Sequence, residues 1–375
     1  MNFIVSSSVL NEHLQAIGRV IGSKSSISIL ECFLFEAEND TLTVTASDTE
    51  TTLITKVPVT DLDEKGKFAI TAKTLLDAMK EIPEQPISFK VDTTTLSLEI
   101  GYQNGVYKFM AQNADEYPKS AEMNSPSIVK FNIAADNLLS GITKTIFATA
   151  NDELRHVMNG IYFDIDSEKI TLVASDGHKL VRCIYPEYKG FEKSAFILPQ
   201  KPANLLKNIL GKESGDVSVQ FDDKNALFLL ENYSIMCRLI EGHFPNYNAV
   251  IPTDNPFCAT IDRQQMICAL RRVLIFSEKT SSLIKLEFGN DSVNISGQDY
   301  DFSTSAEEKL PCSYTDNPLS IGFKGTLLRE ILDNMDGQDI LFQLNNPSRP
   351  GIIVPAEQNE KEQVLMLLMP MMLND

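Results

Sequence analysis

Positive charge and long apolar runs are both in short supply in this chain. Its 375 residues hold 33 Lys and Arg against 51 Asp and Glu, a formal net charge of −18. On totals alone that argues against a polyanionic partner, because affinity for phosphates comes from basic side chains. No apolar stretch reaches the roughly 18 residues that a membrane-spanning helix needs, so no membrane association is expected. Met1-Asn2-Phe3-Ile4-Val5 lacks the basic segment and apolar core of a secretory signal. The six cysteines (Cys32, Cys183, Cys237, Cys258, Cys268, Cys312) are scattered, with no C-x-x-C pair and no companion histidines. They are expected to be reduced thiols packed as small apolar groups in a cytoplasmic protein, without a zinc site. The four histidines show neither H-x-x-x-H nor H-E-x-x-H spacing, and no G-x-x-x-x-G-K-[ST] loop or strand-borne G-x-G-x-x-G occurs. No metal and no cofactor is expected.

What the chain does have is a threefold pattern. Three short strands each run into a helix: Phe3–Val5 into Val9–Lys24, Phe131–Ile133 into Asp136–Ala148, and Phe257–Ile261 into Arg263–Val273. Each is followed by a second strand–helix unit with a Leu-Leu pair and an apolar residue three positions on: Leu75-Leu76-Met79, Leu205-Leu206-Ile209 and Leu327-Leu328-Ile331. Ala46-Ser47-Asp48 recurs as Ala174-Ser175-Asp176, with Gly297-Gln298-Asp299 in the third place. The period of about 125 residues is too long for a solenoid and is the size of an ordinary domain. Domains are expected at 1–122, 130–252 and 256–375, with Pro-, Ser- and Asn-rich linkers near 119–129 and 251–256.

Between the helices, apolar and polar residues alternate over runs such as Thr41–Thr45, Leu96–Ile100, Lys169–Val173 and Val217–Phe221. These predict antiparallel strands joined by turns at Asn104-Gly105, Asp222–Asn225 and Gly289–Asp291. Each repeat should hold two helices and eight strands, an α+β class with helices packed on sheets. Six helices are predicted at 9–24, 71–81, 135–148, 200–212, 261–273 and 323–334. They carry 13 Lys/Arg against 7 Asp/Glu, leaving 20 against 44 elsewhere. An acidic exterior with helices of opposite sign suits a protein that meets a polyanion on one surface, although helices also favour Lys and Arg for their own sake. In Lys201–Leu210 the residues Leu205, Leu206, Ile209 and Leu210 share a face, leaving Lys201, Lys207 and Asn208 away from it.

Ser175, Asp176 and His178 sit within four residues and invite a nucleophilic reading. A triad gathers its groups from distant segments onto one point, whereas Asp176-Gly177 is a hairpin-turn signal, so no catalytic residue is assigned. The segment Val364–Leu373 is apolar throughout. A buried last strand accounts for Val364–Leu368. Met369-Pro370-Met371-Met372-Leu373 suits either core packing or an adaptable groove wall, since proline interrupts a ladder and Met side chains adjust to varied apolar ligands.

The tail Leu368-Met369-Pro370-Met371, the turn Ala174–Leu180, the segment Ile240–Tyr247 and Leu198-Pro199-Gln200-Lys201 together resemble the bacterial DNA sliding clamp family, the beta subunit of DNA polymerase III. The likeness spans the whole chain and its three repeats. It implies a head-to-tail homodimer of three clamp domains per copy, closed as a ring whose twelve helices face double-stranded DNA without reading its sequence. Processivity then comes from topology. A heterologous interface of this kind must close on itself to give a ring. The resemblance carries DNA contact onto Lys24, Lys73, Asn151, Arg155, Gln200 and Lys201; Lys24 and Lys73 replace the more usual arginines, and Gln200 sits where a basic residue is common. It places a client-peptide groove at Gly177, His178, Lys179, Leu180, Pro245, Val250, Pro350, Met369, Pro370 and Met371, floored by Met158 and Leu367. Met372 and His243 stand where the family often has arginine, and Asn374-Asp375 extend the usual end. A dimer seam would set Tyr107 and Phe109 against Leu274 and Ile275, with Asp299, Asp301, Glu307 and Glu308 facing Lys73 or Lys108. The partners implied are a clamp loader, replicative and repair DNA polymerases, and other proteins bearing a clamp-binding motif.

Two other readings are open: a protein-only scaffold of the same fold, which the acidic total would allow, and a hydrolase using Ser175 and His178.

Overall fold

The computed structural model describes residues 1–22, 27–119, 123, 127–188 and 193–373. Among them are six α-helices: α1 Ser7–Ile17, α2 Ala72–Glu81, α3 Ala135–Ile146, α4 Gln200–Leu210, α5 Arg263–Val273 and α6 Gly325–Asp333. Five stay within two residues of the predicted ends. The first differs. Ser6 caps α1 by accepting from the Val9 N–H at 3.4 Å, so the helix starts earlier, and it gives way at Gly18 to a single 3-10 turn, Gly18–Val20. Serine oxygens satisfy the free N–H groups of a first helical turn, so Ser-Ser-Ser here is a helix start rather than a loop.

With the observed ends, the helices carry nine Lys/Arg against six Asp/Glu. The expected excess of positive charge is halved, because Arg19, Lys212 and Lys324 lie beyond the helices and Lys24 falls outside the described residues. Several of the remaining cations are also paired: Arg271 and Arg329 with Asp333, Arg272 with Glu308, and Lys80 with Asp77. The apolar stripes match expectation. Leu205, Leu206, Ile209 and Leu210 of α4 are buried while Lys201 and Asn208 are exposed.

The strands form two compact units that do not follow the repeat boundaries: Met1–Leu138 with Lys201–Leu239, and Leu139–Gln200 with Ile240–Asp375. In the first unit, eight antiparallel strands run in the order Gly66–Thr71, Cys32–Glu38, Thr41–Ser47, Thr51–Pro58, Tyr233–Arg238, Asn225–Leu229, Asp216–Phe221 and Val129–Ala134. The join is at Tyr233↔Thr55 and its neighbours, where the middle repeat extends a sheet begun by the first. A four-stranded sheet, Asn2–Ser6, Pro86–Asp92, Ser97–Tyr102 and Gly105–Met110, completes this unit. Phe35 stacks on Phe68 and Phe89 at 5.1 and 6.2 Å in its core.

In the second unit, the eight-stranded order is Ser194–Pro199, Gly160–Ile165, Ile170–Ser175, Lys179–Tyr185, Gln363–Leu368, Gly351–Pro355, Asp339–Leu344 and Phe257–Asp262. Here the join is Leu180↔Leu367 and its neighbours. A five-stranded sheet ends on the two-residue strand Pro370–Met371, paired with Phe323 and Gly322. The proline therefore does not end the ladder; it sits on a sheet edge, the place where a missing N–H costs least. Gly322 permits the close approach, since a Cβ there would lie 2.7 Å from the Met371 carbonyl oxygen.

His13 of α1 is half-buried, with Nδ1 2.5 Å from Thr55 Oγ1 and its ring 5.2 Å from that of Tyr233. Burial depresses its pKa below the ordinary 6.5 and Lys212 pushes the same way, against the attraction of Glu12 and Glu213. Above that ordinary value the ring is neutral folded or unfolded; as pH falls through it the unfolded chain takes the proton first, so stability drops. The urea midpoint should therefore fall from pH 7.5 to 5.5 by more in the native protein than in a His13→Gln variant; equal falls would count against it.

Candidate functional site

Repeated Asp turns build the site. In the second unit, Asp176 accepts from the backbone N–H groups of His178 and Lys179 at 2.8 and 2.9 Å, and Gly177 lies at φ +88°. Asp48 does the same for Glu50 and Thr51 at 3.1 and 2.7 Å, with Thr49 at φ +82° in the glycine's place. The two copies thus share their hydrogen bonding even though the residue after the aspartate differs. In the second copy glycine suits the left-handed backbone, and a Cβ on Gly177 would come within 2.6 Å of Arg155 Nη1, so that mobile side chain would have to move aside.

Ser175 is part of this turn. Its hydroxyl donates to the Lys179 carbonyl at 2.8 Å and accepts from the Gly177 N–H at 3.2 Å. Both roles are structural, which removes the nucleophile from the hydrolase reading. Lys179 is buried and pairs with Asp176 at 2.9 Å and Glu330 of α6 at 3.0 Å. Burial raises the cost of charge on Asp176, yet the Lys179 ammonium and the two backbone donors outweigh it and hold the carboxyl below its usual range. The turn is in this way anchored to a helix.

Above it lies an apolar cavity of about 220 Å³. Of the expected groove residues, Met158, Gly177, His178, Lys179, Leu180, Pro245, Val250, Leu367 and Met369 line it. Pro350, Pro370 and Met371 do not. The Pro350 carbonyl accepts from Asn255 Nδ2 at 3.1 Å, and the other two belong to the edge strand beside Phe323. Ser175, Phe244, Asn246 and Tyr247 line the cavity without having been assigned to it. The signal was present in Phe244-Pro245-Asn246-Tyr247, an aromatic pair around a proline. Phe244 stacks on Tyr162 at 4.8 Å, and the Tyr247 hydroxyl donates to Asp164 Oδ2 at 2.7 Å. The floor is rigid, with Leu180 and Leu367 at 3% and 2% exposure, whereas Val250 and Met369 at the rim are 51% and 39% exposed. Rigid floor and exposed apolar rim are what a pocket for an apolar anchor needs.

The residues expected at DNA differ in availability. Lys73 on α2 is exposed and makes no ion pair among the described residues. Asn151 and Arg155 are exposed in one loop of the second unit, where Arg155 Nε donates to Asp152 at 2.8 Å. Gln200 is turned inward, its amide donating to Thr149 Oγ1 at 2.5 Å and the Ala150 carbonyl at 2.9 Å, at the root of that loop. Lys201 pairs with Asp48 and donates to the Val20 carbonyl at 2.9 Å. Lys24 lies outside the described residues.

At the expected seam, Tyr107 and Phe109 do fall on an edge strand, Gly105–Met110, with Val106 and Met110 exposed beside them. Leu274 and Ile275 open a 3-10 turn that ends at Phe276; Ile275, Phe276, Tyr300 and Phe302 are exposed apolar residues of the second unit. Three of the four proposed acids are already engaged, and Asp301 is exposed. Glu308 holds Arg272 through two bonds of 2.6 and 2.5 Å, Glu307 accepts from Asn294 at 2.6 Å, and Asp299 caps its own hairpin. Lys108 pairs with Glu99 at 2.9 Å. Met372 is 81% exposed, and Asn374-Asp375 lie outside the described residues.

An apolar pocket on a sheet joined from two repeats, a serine spent on a turn and three copies of one strand–helix design define a binding platform. Three family models match in chain order: the DNA polymerase III beta subunit N-terminal domain over residues 1–121, its central domain over 132–246 and its C-terminal domain over 248–371. The chain belongs to the DNA polymerase III beta subunit family. It is similar to the beta sliding clamp of Pseudomonas aeruginosa, 25% identical over 368 residues, which are 98% of this chain and 99% of that one. The beta sliding clamp of Haemophilus influenzae is 26% identical over 371 residues with the same coverage. Among solved structures, the Pseudomonas aeruginosa sliding clamp bound to griselimycin matches with a TM-score of 0.93 at 24% identity over 100% of both chains. The α+β class, with three clamp modules of two helices on antiparallel sheets, is borne out. The family's work in DNA replication is that of a sliding clamp, a processivity factor without catalysis of its own. Among the described residues no helix is long and apolar enough to cross a membrane.

Proposed function

We propose that two copies of this chain, each with domains at 1–122, 130–252 and 256–375, join head to tail into a ring around duplex DNA. The ring keeps the replicative polymerase on its template in the cytoplasm, is opened by a clamp loader, and docks repair polymerases and other clients through the Met158–Met369 groove. The ordered match of all three repeats to beta subunit domains carries this reading. Exposed Lys73, Asn151 and Arg155 supply diffuse phosphate contacts that position without pinning. Gln200 and Lys201 support the contact surface, Gln200 by bracing the loop root and Lys201 by exchanging Asp48 for phosphate. At the seam, Tyr107 and Phe109 of one copy meet Leu274 and Ile275 of the other, which hides an otherwise open sheet edge.

The test is retention on nicked circular DNA after loading with ATP, followed by cutting the circle. Retention before the cut, loss after it, and a solution mass of two chains are expected. Equal retention on circles and linear DNA would favour the protein-only scaffold.

A further inference from the structure

The sheet face that floors the groove continues beyond it into a second depression. Leu180 and Arg182 sit two residues apart on strand Lys179–Tyr185, so both side chains leave the same face, about 7 Å apart along the strand. Leu180 lies opposite Leu367, and Arg182 lies opposite Leu365. Leu365 packs against the cluster of Val173, Leu180, Tyr247 and Leu367 that underlies the groove. Beside it opens a cavity of about 370 Å³, lined among others by Arg182, Val354, Gln363 and Leu365, with exposed Glu360 at its edge.

Arg182 is out of place among these neighbours. Its Nε is shielded from solvent and has no hydrogen-bond partner. A buried donor on a permanent cation is costly when left without an acceptor, so such a group calls for an explanation. Burial pulls its pKa down from the usual arginine range, as expected where no counter-charge is close. Two polar side chains of this region are committed elsewhere. Gln358 is bonded both ways to the Val364 backbone, at 2.6 and 3.0 Å, and Asp164 accepts from Tyr247. An apolar side chain would fit the row of Leu365 and Val354 better than a guanidinium does.

We infer that Arg182 is a carboxylate subsite for the clients of the groove: an Asp or Glu of the client, outside its apolar anchor, docks on the guanidinium. The assignment rests on the groove reading. Three observations select this occupant. The depression shares its apolar base with the groove, a guanidinium presents paired donors that match the two oxygens of a carboxylate, and the chain is otherwise strongly acidic. A local cation on a surface that repels acids makes the position of the client's acid selective.

The experiment uses two fluorescent peptides with the same C-terminal Leu-Phe anchor, one preceded by an Asp-rich segment and the other by the matching Asn segment. Binding is measured by anisotropy in about 0.15 M salt. Arg182→Gln should weaken the Asp peptide about ten-fold, as loss of a charge-assisted contact would, and the Asn peptide by less than about two-fold. Arg182→Lys should fall between, because the charge stays and the fork is lost. Equal effects on both peptides, or none, overturn the subsite while leaving the groove intact. Failure of both peptides to bind the native protein overturns the groove and the subsite with it. The urea midpoint of Arg182→Gln should be unchanged or higher; a lower midpoint in both Arg182→Gln and Glu360→Gln would mean that Glu360 is the partner, and would also overturn the assignment.

Discussion

A Val250→Asp, Met369→Ala double variant is expected to lose a client peptide by roughly thirty-fold or more while assembling as the native protein does. Both residues belong to the rim of the 220 Å³ cavity and are 51% and 39% exposed, so neither supports the core. Changes at such positions usually move stability by less than about 0.5 kcal/mol. The backbone is untouched as well, since the Met369 N–H that donates to the His178 carbonyl at 2.8 Å survives truncation of the side chain. Losing the Met369 wall and setting a carboxylate, with its desolvation cost, at the mouth of the pocket that holds the client's anchor should together remove about 2 kcal/mol or more of binding. Anisotropy with an apolar-ended peptide reads the first effect and sedimentation the second. Unchanged peptide affinity would remove the groove assignment.

The largest loss of stability is expected from Glu362→Leu. Glu362 gathers three donors: Lys144 Nζ at 2.5 Å, the Ser140 hydroxyl at 2.7 Å and the Tyr185 hydroxyl at 2.6 Å. Lys144 is 7% exposed and pairs also with Asp336 at 2.7 Å. Burial alone would lower the lysine's pKa, but the bonds to Asp336 and Glu362 outweigh it and hold the proton more tightly than usual. Removing one partner of a buried pair costs about 3–5 kcal/mol when the other charge is left alone; Asp336 keeps Lys144 partly paired, so a loss near the lower end of that range is expected. Glu362→Gln keeps an acceptor and should cost less, and adding Lys144→Leu to Glu362→Leu should recover part of the loss. Urea unfolding measures all three. A Glu362→Leu midpoint equal to the native one would show that Asp336 suffices. The sign with pH is set by the lysine: its contribution is complete below the ordinary lysine value near 10.5 and is lost as pH rises through the higher folded one.

Much of this architecture was legible in the chain because local pattern and packing agree. The Leu-Leu pairs at 75–76, 205–206 and 327–328 each mark a helix that packs on a sheet, and the Asp turns at 48 and 176 close hairpins as their spacing predicts. The start of α1 was hidden because Ser6-Ser7-Ser8 looks like a loop until Ser6 is seen to cap Val9. Availability of the basic residues was hidden for a different reason. Lys201 finds its carboxylate 153 positions away, and Arg272 on its helix finds Glu308 on the strand Thr304–Pro311; no spacing announces such pairs. The tail was misleading at Pro370, since only an edge position next to Gly322 lets a proline take part in a sheet. In the groove, Pro245 was recognised and its aromatic neighbours were not, because Phe244 and Tyr247 read equally well as core until Tyr162 and Asp164 show which way they face.

The pairing of Thr51–Pro58 with Tyr233–Arg238 has a bearing on biosynthesis. A chain emerging from the ribosome makes its first strands long before the one that covers their edge, with some 175 residues still to be translated in between. At ordinary elongation rates the nascent protein spends roughly ten seconds or more with that border open to whatever else is nearby. Slow codons or depleted trigger-type holdases should therefore hurt this protein through its N-terminal third, and fragments cut at the end of the first repeat should be the aggregation-prone ones. Fragments that run on through Arg238 close this border but leave the edge of Lys179–Tyr185 open until Gln363–Leu368 is made, so they should aggregate less than the shorter ones and more than the full chain.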